Sequence, residues 1–263
     1  MSKKILVVCD RKERTVSLQQ IPNSIKAAFV PAEGHTFIDI DYSQMEYRVA
    51  ASLSGDTNMI AKLNSDDDFY SSIAADIYKK DISDITKPER DKVKVVSLGV
   101  LYGMSANSVA ARLSISQDEA QHLITQWKSN FPQLMQFREK TENYIRATGK
   151  TPSFFGRYRD FGKPSDLDDE KINEGFNTTI QGCASDLLKI SMVMTSKHLA
   201  SENAGKIKLT LHDELLFEVP DEKVPEIEKS LREIMTTVVK RKPDWCNFKV
   251  SINKGKTWAE ASK

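Results

Sequence analysis

Strand patterns at both ends of the chain, with an almost unbroken run of helix between them, restrict the folds open to this sequence. Residues 36–41 (Thr-Phe-Ile-Asp-Ile-Asp) alternate apolar and polar, the period of a β-strand. Ile38 and Ile40 fall on one face, Asp39 and Asp41 on the other. A helix pattern follows over about 45–53 and stops before Gly55. From 57 to 149 the chain reads as helix near 57–64, 69–79, 88–102, 105–112, 116–130 and 133–148, divided by Asp, Pro, Gly and Ser. Residues 150–168 read as loop or short hairpin, and a long helix is expected over about 169–199. Two strands, 206–211 and 215–220, flank His212-Asp213-Glu214, and a helix near 222–240 and a strand near 247–253 follow. Strands around a helical insert give the α+β class, one sheet domain carrying a helical subdomain.

A chain of 263 residues can bury one large core or two smaller ones. Its 38 Lys and Arg against 37 Asp and Glu leave a net charge of +1, which points neither toward nor away from nucleic acid. One face can grip phosphates while another holds metal ions with carboxylates. No apolar run is long enough to cross a bilayer, so no membrane partner is expected. The opening Met-Ser-Lys-Lys-Ile-Leu-Val-Val is too brief for a secretory leader and reads as a surface strand or a disordered leader. Cys9, Cys183 and Cys246 match no zinc spacing and no disulfide framework, which suggests a reducing compartment, with Cys183 in the core.

Asp41 ends an apolar strand and Asp213 lies between two more. If those strands are neighbours, the two carboxylates converge as hard oxygen ligands suited to Mg²⁺, and a pair of such ions can serve phosphoryl chemistry. The alternative is that Asp41 caps the next helix and Asp213 makes the turn. In the helix over 88–102, Arg90, Lys94, Leu98 and Tyr102 recur at four-residue spacing and form one stripe. Two cations, an apolar residue and an aromatic in that order suit phosphates, sugar and base. The plainer alternative is a helix with a wet basic end and a buried apolar end.

In their order along the chain these segments resemble the family A DNA polymerases, the family of bacterial DNA polymerase I. Residues 41–56 (DYSQMEYRVAASLSGD) resemble its motif A, 90–103 (RDKVKVVSLGVLYG) its motif B and 211–220 (LHDELLFEVP) its motif C. FFGRYR (154–159), NTTIQGCASDLLK (177–189), LQQIP (18–22) and GKTWAEAS (255–262) also have counterparts, so the resemblance runs from about residue 15 onward. It implies an antiparallel palm sheet with helices, built from 1–56 and 166–263, and a helical fingers subdomain over 57–165.

The resemblance further implies a template-directed DNA polymerase acting on DNA template-primer and dNTPs with two Mg²⁺ ions. Asp41 and Asp213 would hold the metals, with the Tyr42 backbone carbonyl completing a shell and Glu214 in support. Arg90 and Lys94 would bind the triphosphate, Lys94 being a candidate proton donor to pyrophosphate. Leu98, Gln44 and Tyr70 would line the nucleotide site, Tyr102 would stack near the nascent pair, and Glu46 would crowd the sugar 2′ position. His212 would contact the primer end, and Arg48, Asn177 and Gln181 the template-primer. Two positions depart from the family pattern: Leu98 stands where an aromatic is usual, and Tyr70 where many relatives carry His. A primer-contacting Arg cannot be placed; Arg11 and Arg14 are the candidates. Thumb and exonuclease domains do not fit ahead of LQQIP, so a split or truncated polymerase is expected, its thumb on a separate polypeptide for which a phage-encoded one is the candidate. The expected location is the cytoplasm, at the nucleoid or in a phage-infected host. The competing readings are a non-catalytic DNA-binding remnant and a single-subunit RNA polymerase, against which Glu46 argues.

Overall fold

The computed structural model describes residues 21–152, 154–237, 240 and 242–262, together with the backbone of strands at 4–9 and 12–17. Strands β1 (Lys4–Cys9) and β2 (Lys12–Ser17) form a two-stranded antiparallel sheet. Then come α1 (Asn23–Lys26), β3 (His35–Tyr42), α2 (Met45–Ser54), α3 (Thr57–Asn64), α4 (Phe69–Tyr78) and α5 (Lys87–Leu101). Next are α6 (Ala106–Leu113), α7 (Gln117–Asn130), α8 (Pro132–Thr148) and the long α9 (Asp169–Ser201). The rest is β4 (Lys206–Leu211), β5 (Glu214–Pro220), α10 (Val224–Thr237), β6 (Val250–Gly255) and α11 (Trp258–Ala261). This is the expected α+β class.

The chain divides into two compact units. One holds Met1–Met45, Ser185–Lys240 and Phe248–Lys263; the other holds Glu46–Ala184 and Arg241–Asn247. Sequence punctuation put the divisions near 56 and 165. In the structure they fall inside α2 and α9, because each helix runs on from one unit into the other.

The first unit contains the four-stranded antiparallel sheet, in the order β4-β5-β3-β6. Alternation along β3 sets its two faces. Ile38 and Ile40 are fully buried, and so are Leu215, Phe217 and Val219 of β5. Helix α10 contacts both strands and buries Ile227, Leu231 and Met235, four residues apart on one stripe. On the other sheet face Phe37 and Leu216 join Ile21, Trp258 and Ala261 in an apolar cluster. Each such side chain contributes about 1.5–3 kcal/mol when removed from water. The cluster covers one end of that face and leaves the other end to Asp39, Asp41 and Glu214.

The closing strand is β6, at 250–255 and not near 247–253, and α10 starts at Val224 behind a 3₁₀ turn over 221–223. Pairing with β3 fixes β6, from Tyr42↔Val250 to Phe37↔Gly255. The residues that suggested an earlier start, 247–249, lie outside the sheet, and Phe248 is buried there. Cys246 N donates to Ser52 Oγ and Asn247 N to Asn64 Oδ1, so side chains of the second unit satisfy that backbone.

The second unit is helical, and the starts of α3 to α7 are capped by side chains. Asp56 caps α3 by accepting from Met59 N, and its other oxygen accepts from Leu134 N. Asp68, Ser105 and Ser116 cap α4, α6 and α7. Thr86 and Glu89 form a capping box at α5, where Pro88 takes the second helical position, not the first. Trp127 of α7, wholly buried, donates to Ser97 Oγ on the inner side of α5. The segment after α8, expected as loop or short hairpin, holds among its described residues an isolated antiparallel bridge between Lys150 and Asp160. Cys183 and Cys246 are buried thiols. Among the described residues no helix is long and apolar enough to cross a membrane.

Candidate active site

In the first unit, β3 and β5 bring the acidic residues together. Asp41 pairs with Glu214 across the ladder, and Tyr42 N donates to Asp213 O at 3.2 Å. The side chains of Asp41 and Asp213 lie within hydrogen-bonding reach of each other. Asp213 occupies the two-residue turn after β4, and Glu214 already belongs to β5. The turn is possible because His212 takes a left-handed φ of 53°, an uncommon conformation for a residue with a side chain. His212 is exposed at the tip of that hairpin.

The cluster is electrostatically costly without a cation. Asp41 is open to solvent on one side, yet loss of water on the other raises its carboxyl to about 7, with Asp213 and Glu214 adding to the shift. Burial raises Asp213 as well. Asp39, 5% exposed on the same face, is pushed up by burial first and by Glu214 next. Asp39 Oδ1 and Glu214 Oε1 are buried without a hydrogen-bond partner. Buried, unpartnered carboxylate oxygens call for a bound cation or a proton. The donor set fits Mg²⁺, which takes few carboxylates and keeps positions for water and phosphate. Among the described residues no group of three or more His, Cys, Asp or Glu is arranged to hold a metal ion.

Tyr42, next along β3, has its ring buried on the opposite face, its hydroxyl within 2.6 Å of both Ser191 Oγ and Met235 O. Only its backbone is available to a metal. The turn into α2 places Gln44, half-buried, at a left-handed φ of 56°.

In the second unit the expected stripe faces outward. Along α5, Arg90, Leu98 and Tyr102 are half-buried and Lys94 is exposed, whereas Val93, Val96, Ser97, Val100 and Leu101 are buried. The plainer alternative, a wet basic end and a buried apolar end, fits the same burial, with Arg90 and Lys94 at the open end and Val100 and Leu101 buried at the other. Arg90 makes a two-pronged bond to Asp68, Nε to Oδ1 at 2.8 Å and Nη2 to Oδ2 at 2.9 Å. Partial burial works the other way, but the bonds from Arg90 and Ser71 hold Asp68 below the ordinary carboxylate range. Tyr70, 7% exposed, offers its ring to both cations, 5.6 Å from Arg90 and 5.8 Å from Lys94. Tyr47 and Phe69 pack on that ring.

Glu46 is half-buried in the first turn of α2. Arg48 is 3% exposed and donates to Asn247 O, so a nucleic acid could reach it only if that bond opened. Asn177 Nδ2 reaches Tyr102 O at 3.4 Å while its Oδ1 is buried without a partner, and Gln181, one turn on, is exposed. Arg11 and the side chain of Arg14 lie outside the described residues. Two participants escaped the sequence reading. Asp68 was visible as the cap before the 69–79 helix pattern, and Asp39 as the acid alternating with Asp41.

The sequence model of DNA polymerase family A matches residues 13–260. DNA polymerase I of Caldicellulosiruptor bescii is 33% identical over 261 residues, covering 93% of this chain and 30% of that protein. The thermostable DNA polymerase I of Thermus aquaticus is 31% identical over 257 residues, covering 94% of this chain and 30% of that protein. Among solved structures, the POL domain of Pol1 from M. smegmatis, in complex with DNA primer-template and dNTP, superposes with a TM-score of 0.85. It is 30% identical, and the match covers 96% of this chain and 46% of that one. The chain therefore spans about 30% of the length of the curated relatives it matches.

Proposed function

Because the chain belongs to DNA polymerase family A, we propose that it carries the catalytic site of a template-directed DNA polymerase, joining a dNTP to the 3′-OH of a DNA primer. The observation that carries the reading is the convergence of Asp41 and Asp213 on one sheet face, with buried oxygens of Asp39 and Glu214 lacking partners beside them.

The family uses divalent metal ions, and Asp41, Asp213 and the Tyr42 carbonyl are the groups that would hold two Mg²⁺. Bound there, the metal supplies positive charge against the primer hydroxyl and the phosphates. The protein's own groups then position and neutralise. Arg90 offers a fork to the triphosphate once it leaves Asp68, and Lys94 holds a proton at Nζ for departing pyrophosphate. Tyr70 supports both cations from beneath with its ring face. Leu98 gives the sugar an apolar surface, Tyr102 stacks near the nascent pair, and Gln44 lines the nucleotide site. Glu46 crowds the 2′ position, so ribonucleotides are refused. His212 meets the primer end, and Asn177 and Gln181 read the minor groove, where shared acceptors report pair geometry. Arg48 joins that duplex contact only if it swings free of Asn247.

A finer part of the reading is that these residues are the catalytic part of a split or truncated polymerase. Its support is that, of the residues assigned to template-primer, His212, Asn177 and Gln181 carry no fixed charge with which to grip the duplex backbone. The partner named is a polypeptide bringing the duplex-gripping thumb, with or without an exonuclease.

The test is extension of a labelled primer with Mg²⁺ and dNTPs at low salt, beside Asp213→Ala. Wild-type extension with a loss of about a thousandfold or more in the variant is expected, since metal charge supplies several kcal/mol of the barrier reduction. Extension that survives Asp213→Ala would sink the assignment. A thumb-bearing fragment that raises neither synthesis nor DNA affinity would sink the split reading.

A further inference from the structure

The last carbonyls of an α-helix have no partner within the helix. At the end of α5 that of Val100 is met by Gly103 N beyond the helix, and Tyr102, the cap residue, carries the aromatic tip of the proposed nucleotide stripe. Arg138, from α8, meets that end. Its Nη1 donates to Val100 O at 3.0 Å, its Nη2 to Asn173 Oδ1 at 2.6 Å and its Nε to Glu142 Oε1 at 2.7 Å. Asn173, on α9, extends the contact by donating Nδ2 to Tyr102 O at 2.8 Å. The guanidinium lies 4.8 Å from the centre of the Phe176 ring, and the Arg138 side chain is only 18% exposed. Close approach is built into the turn: Gly103 has φ +75°, and a Cβ there would lie 1.9 Å from Asn173 Oδ1. A cation at this end also opposes the negative pole of the helix.

We propose that Arg138 and Asn173 are positioning residues for nucleotide incorporation. They fix the last turn of α5 so that Tyr102 is held in one orientation relative to Lys94 and Arg90 on the same helix. The inference rests on reading α5 as the nucleotide-binding helix. It needs the planar fork of arginine, because three acceptors in different directions are served by one rigid group, which a lysine ammonium on a flexible stem does not reproduce. Misplacement of binding groups by about 1 Å can cost of order a hundredfold in rate.

Arg138→Ala, Arg138→Lys and Asn173→Asp test it; the last keeps an acceptor for Arg138 and removes the donor to Tyr102 O. Hydrogen exchange reads the clamp directly at Tyr102, Gly103 and Met104, whose amides close the final turn on Leu98, Val100 and Gly99. Exchange there should quicken about tenfold or more while α7 keeps its protection. In primer extension, KM for a matched dNTP should rise and kcat/KM fall about tenfold to a hundredfold, with poorer rejection of mismatched dNTPs. Arg138→Lys should restore only part of the loss. Folded variants with wild-type exchange at 102–104 and wild-type KM would overturn the proposal. If Arg138→Ala does not fold, Asn173→Asp decides by the same two readouts. A wild-type chain that extends no primer overturns the functional reading instead, and the exchange measurement, which needs no catalysis, still decides the clamp.

Discussion

Asp41 and Asp213 occupy a place that disfavours the charge of both. Water is withdrawn from Asp41, two further carboxyls stand beside it, and its proton is held up to about pH 7. Relieving that repulsion should stabilise the ion-free protein even as it removes the metal site. Asp41→Asn is therefore expected to melt higher than wild type in chelator at pH 8, by about 2–4 °C for each kcal/mol of repulsion removed. Mg²⁺ should raise the wild-type melting temperature and leave the variant unmoved. Thermal melts with and without Mg²⁺ check both; a variant that melts lower in chelator would show that Asp41 is a structural acid. Tyr70 is a second single-residue case, because its ring and its hydroxyl can be separated. With Arg90 and Lys94 both over the ring, Tyr70→Phe should leave KM for dNTP within about twofold. Tyr70→Leu should raise it about fivefold, the equivalent of roughly 1 kcal/mol of cation–ring attraction. Equal effects from the two substitutions would assign the role to the hydroxyl.

At the scale of elements, the start of α5 is the part most open to test. Thr86 accepts from Glu89 N, and Glu89 in turn accepts from Thr86 N and from Lys80. The hydrogen bond from Lys80 and those from Thr86 hold the half-buried Glu89 carboxyl down at about 2. A depressed carboxyl contributes stability that is complete above its unfolded value of 4.5 and is lost as pH falls toward 2. Glu89→Gln should therefore flatten the melting profile between those two pH values, and Thr86→Ala should cost about 1 kcal/mol at neutral pH. An acid limb unchanged by Glu89→Gln would mean that the box is not closed in solution. These same signals made the helices readable. Polar punctuation at Asp56, Asp68, Ser105 and Ser116 sits at N-caps, so α3 and α4 start where the pattern placed them. The failures have a common cause in long-range pairing. Asn247 reads as the start of the last strand, but its backbone is held by a partner far away in sequence, Asn64. The grip of Asp68 on Arg90 and the clamp at Arg138 likewise join segments 22 and 38 residues apart, a distance at which periodicity carries no signal.

For the whole molecule, a net charge of +1 says little about DNA, because what matters is how many cations reach phosphates. Of the residues assigned here to template-primer, His212, Asn177 and Gln181 carry no fixed charge, and the guanidinium of Arg48 is buried against Asn247. Contacts of that kind read shape and pair geometry and release few counterions. Each phosphate neutralised contributes about −0.9 to the slope of log affinity against log salt for duplex DNA. The chain alone should therefore bind a primer-template weakly, with a shallow slope of about −1 to −2. Fluorescence anisotropy of a labelled primer-template across a salt series measures it. A thumb-bearing fragment, if it completes the grip on the backbone, should steepen the slope together with the gain in affinity. A slope of about −5 or steeper for the chain alone would mean that its exposed lysines already form a phosphate track. Duplex binding would then be a property of these 263 residues, and a separate gripping partner would not be needed to explain it.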